Sequence, residues 1–400
     1  MPKCASGLTR RNLMVMAGAG ATSLALPFAR PAIAQAQPIK VGLLLPYSGT
    51  YAQLGEAITR AMELYLKQHS GKLAGREITF IKVDSEASPP KAPELTTKLV
   101  EGEKVDILTG PVHSGVAMAM TKIAREVGVP TIDTNAGANA ITRQLCAKNV
   151  FRSSFSNGQV GLATGKAMAD AGIKNAVTFT WKYAAGEEMV GGFNDTFTKG
   201  GGKVLKDITV PFPNVEFQAA LAEIASIKPD AVYSFFAGGG AAKFIKDYAA
   251  ANLQASIPLW GPGFLTDGVE KAVGSAGNGV KTVLHYVDDL DNPENKAFRA
   301  AFNEAYKIFP DVYAVQGWDA MQLIDHGLKA VGGDVAKRDE FCAAMAKASF
   351  KSPRGPFRLS SSHNPIQNFY LRELKDGNNL LVKTVATEFA DLTTGCKLSA

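Results

Sequence analysis

The sequence predicts an α/β protein built as two similar lobes, each around a largely parallel sheet. Three features carry that reading. Short β-branched runs alternate with amphipathic stretches from residue 39 onward, which is the pattern of stacked βαβ units. The alternation pauses once, over 135–157, and then resumes as a second set. A third section supplies three helical stretches but too few strands for a sheet domain of its own.

In the first set the expected strands are 39–45, 78–83, 106–109 and 130–133, with helices at 56–69, 93–101 and 115–127 between them. The second set has strands at 176–181, 204–209, 231–235 and 259–260, with helices at 187–198, 215–227 and 239–251. The third section begins with a strand at 280–287. Helices at 295–308, 312–331 and 335–348 follow, then a hairpin of 368–374 and 380–384 around Asp376-Gly377-Asn378. Its three helices must complete one of the earlier lobes, so the chain crosses between lobes more than once. Repeated crossing makes a hinge, and a hinge between α/β lobes implies a cleft that opens and closes. Open parallel sheets place ligands beyond the carboxyl ends of their strands, so the loops there are the expected site.

Residues 1–36 read as an export signal: a basic cluster with Arg10 and Arg11, an apolar stretch over 13–28, and small residues at Ala32, Ala34 and Ala36. Thr9-Arg10-Arg11-Asn12-Leu13-Met14 is similar to a twin-arginine motif, with a plain Sec signal as the alternative. The apolar stretch is broken by Gly18, Gly20 and Pro27, which makes it a poor membrane span. The expected location is therefore periplasmic, with the signal removed.

The chain carries a net charge of +6, and losing residues 1–34 removes Lys3, Arg10, Arg11 and Arg30 but no acid, leaving +2. After the signal no Lys/Arg run exceeds two residues, which argues against a nucleic-acid partner. Three cysteines remain, Cys146, Cys342 and Cys396, and an oxidising compartment permits one disulfide among them without the sequence choosing the pair. Cys342 falls in a helical pattern as a small apolar residue. Cys146 and Cys396 lie in polar, irregular segments and form the favoured bridge.

Catalytic signatures are missing. The chain has no Gly-x-Ser-x-Gly elbow, His-Glu-x-x-His helix, phosphate loop or strand-linked dinucleotide fingerprint. His69, His113, His285, His326 and His363 are scattered without metal-ligand spacing, and no Cys-x-x-Cys pair suggests zinc. The expectation is a protein that is not an enzyme and uses neither cofactor nor metal.

Ile39-Lys40-Val41-Gly42-Leu43-Leu44-Leu45-Pro46-Tyr47-Ser48-Gly49, Gly55 and Val83-Asp84 open a series of motifs. It continues with Gly110-Pro111-Val112-His113-Ser114, Pro130-Thr131-Ile132, Val150-Phe151-Arg152, Tyr183-Ala184-Ala185-Gly186, Gly261-Pro262-Gly263 and Ser352-Pro353-Arg354-Gly355-Pro356-Phe357. In order and spacing the series resembles periplasmic substrate-binding proteins of ABC importers of the branched-chain amino acid, or leucine-binding, type. The resemblance implies a type I periplasmic binding protein fold, two Rossmann-like lobes joined by a three-strand hinge. Residues 38–152 plus 285–357 would form the N-terminal lobe and 153–284 plus 358–400 the C-terminal lobe.

It also implies a site. A ligand carboxylate would meet His113-Ser114-Gly115 at the start of a helix, where unpaired N–H groups and the helix dipole favour an anion. Ser114 would add its hydroxyl, or serve as the N-cap, or both. Asn135, Ala136 and Gly137 would bring backbone close to the ligand. Trp181, Tyr183 and Phe236 would close over it from the other lobe, beside Phe235, with Tyr313 as an aromatic wall and Leu54 where some relatives carry an aromatic side chain. Gly263 stands where amino-acid binders place the acid that meets the ligand ammonium, and Asp267 lies a turn too far along. The Gln144-Leu145-Cys146 segment, the Ser362-His363-Asn364-Pro365-Ile366-Gln367 motif and Cys396 resemble members that take up aromatic acids. The expected ligand is a small hydrophobic or aromatic carboxylate, with branched-chain amino acids as the alternative and a ligand-sensing role as a second. The implied partners are an ABC permease and, through it, a cytoplasmic ATPase subunit, with the binding protein itself a monomer.

Overall fold

The first strand, β1 (Ile39–Leu45), is buried at every position except Lys40, as a strand covered on both faces must be. The structure, a computed structural model, describes residues 37–399; the export-signal reading falls outside them. After β1 come α1 (Ala52–Gln68), β2 (Lys72–Leu73), β3 (Arg76–Asp84), α2 (Ala92–Thr97), β4 (Ile107–Gly110), α3 (Ser114–Val127), β5 (Thr131–Asp133) and β6 (Val150–Arg152). The six strands form one sheet in the order β2-β3-β1-β4-β5-β6, parallel apart from the β2–β3 pair. The chain goes from β1 to β3 on one side and then back to β4 on the other. This reversal parts the loops after β1 and β4 and opens a crevice between them.

The second lobe repeats the device. Its elements are α4 (Asn157–Asp170), β7 (Asn175–Lys182), α5 (Ala184–Lys199), β8 (Lys203–Pro211), α6 (Gln218–Ile227), β9 (Ala231–Phe235), α7 (Gly238–Ala250), β10 (Leu259–Pro262), α8 (Glu270–Val273) and β11 (Lys281–Leu284). From β7 the chain steps outward to β8 and returns to β9 on the other side of β7, so here the reversal lies between β7 and β9.

The third section divides between the lobes. Helices α9 (Pro293–Tyr306), α10 (Val312–Ala330) and α11 (Arg338–Ala346) come first. Tyr65 donates to Asp325 at 3.0 Å and Tyr306 to the Arg60 carbonyl at 2.8 Å, tying α10 and α9 to α1. Gly317 lets α10 approach closely, since a Cβ there would sit 2.4 Å from the Ile58 carbonyl oxygen. The expected strand at 280–287 ends at Leu284, and the following residues carry the chain across to α9. Strands β12 (Ser349–Ser352) and β13 (Gly355–Leu359), which the sequence pattern did not suggest, form a hairpin. The hairpin pairs with β14 (Pro365–Lys375), and β14 pairs with β11 and with β15 (Asn378–Phe389), all antiparallel. A disulfide joins Cys146 to Cys396, with Cα atoms 5.5 Å apart and a sequence separation of 250, and Cys342 is free and buried.

Candidate functional site

Both reversals face one small cavity. From the first lobe it is lined by Tyr51 and Leu54 beyond β1, Val112 and Ser114 beyond β4, and Asn135 and Gly137 beyond β5. Phe155 and Asn157 follow β6 as the chain crosses to the second lobe. Tyr183 comes from the β7–α5 connection, Ala185 and Met189 from α5 itself, Phe235 from the end of β9 and Ala237 from the cap of α7, Phe264 from the loop after β10, and Tyr313 from the first turn of α10.

The polar atoms of the wall form an ordered set. His113 caps α3: its Nδ1 accepts from the Gly115 N–H at 3.0 Å, so Ser114 is the first helical residue and not the cap. Burial pushes the His113 imidazole down to about 4, which keeps it neutral. Its ring stacks on Tyr183 at 4.4 Å, and Tyr183 shares a 2.8 Å hydrogen bond with the Tyr51 hydroxyl. Ser114 Oγ accepts from Asn157 Nδ2 at 3.3 Å, and the same amide nitrogen donates to Glu188 Oε2 at 2.8 Å. With one lone pair taken, the Ser114 O–H remains to be given away. Glu188 also accepts from the Asn139 N–H at 2.9 Å, and burial raises its carboxyl above the usual range. Gly137 is a glycine of necessity, because a Cβ would lie 2.1 Å from Asn157 Oδ1 and 2.6 Å from the Phe155 ring.

Arg152, fully buried, shapes the loop beneath. It pairs with Asp133 at 3.1 Å and donates to the carbonyls of Ala136, Ala138 and Phe155. The Ala136 N–H goes to the Pro111 carbonyl at 3.0 Å. Both backbone polar groups of Ala136 are thus turned into the protein, and its expected place against a ligand is corrected to its two neighbours, Asn135 and Gly137.

Four other expected residues also stand off the cavity. His113 serves as the cap and as a backing for Tyr183. Trp181 lies beneath the wall, with its Nε1 donating to the Asn214 carbonyl at 2.8 Å and its ring edge-on to Tyr51. Phe236 sits in the second-lobe core among Phe179, Phe217 and Phe244, because strand alternation turns it away from the face that Phe235 occupies. Gly263 gives its carbonyl to Arg372 at 2.9 Å and packs on Leu284, and the next residue, Phe264, reaches the cavity instead. Leu54, Ser114, Asn135, Gly137, Tyr183 and Tyr313 do line it. Tyr51, Val112, Phe155, Asn157, Ala185, Met189, Ala237 and Phe264 were not singled out from the sequence. Tyr51, Phe155 and Asn157 follow strand ends at or near the reversals, so topology is the signal that finds them.

None of the lining residues is Asp, Glu, Lys or Arg. Asp267 is fully buried and bound to Arg372, and its other oxygen accepts from the Val312 N–H at 3.3 Å. It cannot also serve a ligand ammonium. Among the described residues no group of three or more His, Cys, Asp or Glu could hold a metal ion, and no helix is long and apolar enough to cross a membrane.

Comparison with known proteins agrees with this geometry. A family model described as periplasmic binding protein matches residues 38–379. The Leu/Ile/Val-binding protein homolog 6 of Brucella abortus (strain 2308) is 31% identical over 365 residues, covering 88% of this chain and 92% of the relative. The crystal structure of an ABC transporter solute-binding protein from R. palustris in complex with benzoate is 70% identical. It has a TM-score of 0.89 and covers 90% of this chain and 100% of that one. A solute-binding protein of an ABC transporter from Rhodopseudomonas palustris BisB5, in complex with 3,4-dihydroxybenzoic acid, is 32% identical. Its TM-score is 0.84, covering 88% and 98%. With two α/β lobes around a shared cavity and a family match over most of its length, the chain belongs to the periplasmic binding proteins of the two-lobed type I fold.

Proposed function

We propose that this protein captures a small aromatic carboxylate between its lobes and delivers it, unaltered, to the membrane permease of an ABC importer. The observation that carries the reading is the composition of the cavity wall. Six of its fifteen residues are aromatic and none carries an ionisable acid or base other than tyrosine. A predominantly apolar wall with a few polar groups suits the ring of a small aromatic carboxylate. Benzoate and 3,4-dihydroxybenzoate, bound by the two structural relatives, belong to that class.

The carboxylate would take the Ser114 O–H together with N–H groups of the first turn of α3 and the backbone at Gly137, where the helix dipole favours negative charge. The ring would lie among Phe155, Phe235 and Phe264. An α-amino acid would bring an ammonium group with no carboxylate to meet it, at a cost of several kcal/mol in a closed cavity. Lobe closure would draw on contacts such as Tyr51 to Tyr183, Gln53 to the Gly268 carbonyl, and the Gly240 N–H to Thr50 Oγ1 at 3.2 Å. Ligand binding then shifts an open and closed equilibrium.

The same reading assigns residues 38–152 with 285–357 to one moving lobe and 153–284 with 358–400 to the other. It also assigns residues 1–36 to a cleaved twin-arginine signal, and to the mature chain a monomeric state and no catalysis of its own. Calorimetry of the mature protein with benzoate, hydroxybenzoates and leucine tests it. Saturable binding of the aromatic acids is expected; tight binding of leucine with none of the aromatic acids would overturn it.

A further inference from the structure

Tyr313 differs from most of the other interior tyrosines. Tyr65 donates to Asp325, Tyr248 to the Ile257 carbonyl and Tyr286 bonds Asn295 Oδ1, while Tyr51 and Tyr183 bond each other. Tyr233 has a buried hydroxyl without a partner, but it lies in the second-lobe core, stacked on Phe193. Tyr313 is 1% exposed, lines the cavity, and its hydroxyl has no partner. Of the cavity-lining residues only one other has an orphaned buried side-chain atom, Asn157 Oδ1, and that atom lies against Gly137, where an added Cβ would come within 2.1 Å of it.

A buried hydroxyl left without a hydrogen bond loses its full hydration, so a wall that keeps one is matched to a guest that supplies the partner. An unsubstituted ring offers nothing to it. A phenolic O–H both donates and accepts and answers a tyrosine hydroxyl in either sense. We infer that the preferred ligand is a hydroxylated aromatic carboxylate and that Tyr313 is the residue that selects it over the unsubstituted acid, an inference that rests on the aromatic-carboxylate reading above. The carboxylate end is served by Ser114 and the start of α3, which leaves the Tyr313 hydroxyl for the ring substituent.

The test is calorimetry of the mature wild-type protein and of Tyr313→Phe with benzoate, 3-hydroxybenzoate, 4-hydroxybenzoate and 4-methylbenzoate. The methyl compound fills the same space without a hydrogen bond. The wild type is expected to bind at least one hydroxybenzoate about tenfold more tightly than benzoate or 4-methylbenzoate. In Tyr313→Phe that preference should shrink to about twofold or less, the hydroxybenzoates losing more affinity than benzoate or 4-methylbenzoate, with an unchanged melting temperature. Equal weakening of all four acids in the variant would mean that the hydroxyl holds the carboxylate, and would overturn the inference while leaving the function intact. So would a wild type with no preference for either hydroxybenzoate. Failure of all four acids to bind the wild type would overturn both readings.

Discussion

Each lobe sets a buried arginine–aspartate pair under its cavity loop, and the two pairs serve opposite surfaces. In the first lobe Arg152 holds Asp133 and three carbonyls of the 136–155 stretch, so the loop presents Asn135 and the bare backbone of Gly137. In the second, Arg372 holds Asp267, the Gly263 carbonyl and the Tyr286 carbonyl, and the loop presents the ring of Phe264. One pair props up a polar half and the other an aromatic half. In both, formal charge is spent on loop shape and kept out of the cavity. A ligand therefore meets neutral dipoles and rings, which discriminate by shape and hydrogen-bond pattern more than a free guanidinium would.

The largest effect should come from breaking either pair. Arg152→Met and Arg372→Met each leave a buried carboxylate unpaired and should cost about 3–5 kcal/mol in urea denaturation. A loss below about 1 kcal/mol in one of them would show that the pairs are not equivalent props. Next comes Ser114→Ala on the polar half. Removing a hydroxyl that donates to a carboxylate should weaken benzoate binding by about 10- to 100-fold with little change in melting temperature. Unchanged affinity would remove Ser114 from the site.

Asp311 sharpens the comparison from the other direction, as a half-buried carboxyl with no arginine of its own. It caps α10 through the Ala314 N–H at 2.9 Å, and burial near Asp267 and Asp288 pushes it up to about 7. The folded protein thus holds a proton that the unfolded chain releases near pH 4. The stability this gives is complete below about pH 4, falls as pH rises through about 7, and is then constant. Asp311→Asn keeps the cap and removes the titration. Its advantage over wild type should widen from pH 5 to pH 8 by on the order of 2 kcal/mol, read from denaturation at the two pH values. A constant difference would mean that Asp311 stays ionised in the fold.

The alternation of short strands and helices was enough to place both lobes, because strand period and helix period are local properties. The β12–β13 hairpin was not legible, since Ser352-Pro353-Arg354-Gly355-Pro356 reads as loop and becomes sheet only by pairing across to β14. At the site, residues recognised through local geometry fared differently from those that depend on partners distant in sequence. Ser114, Asn135 and Gly137 stand at strand ends and were reached through the family resemblance. Arg152 and Arg372 were invisible as loop props, for nothing in a lone arginine says that it will be buried against carbonyls up to 109 residues away. The same limit misplaced Ala136, whose neighbours face the cavity while its own amide is drawn to Pro111.

Phe235 and Phe236 isolate that limit in two adjacent residues. The sequence offers two identical side chains at a strand end; only the direction of the chain there decides that Phe235 meets the cavity while Phe236 meets Phe179, Phe217 and Phe244. Replacing each by leucine should therefore separate binding from folding. Phe235→Leu shortens the aromatic wall and should weaken benzoate by roughly fivefold, about 1 kcal/mol, with the smaller loss in stability. Phe236→Leu should leave affinity within about twofold and cost roughly 1–2 kcal/mol of stability, because its lost ring contacts are all internal to the lobe. Calorimetry and denaturation of the two variants side by side read both quantities. An affinity loss confined to Phe236→Leu would mean that the strand presents its other face to the ligand, and the division between polar and aromatic halves would have to be redrawn.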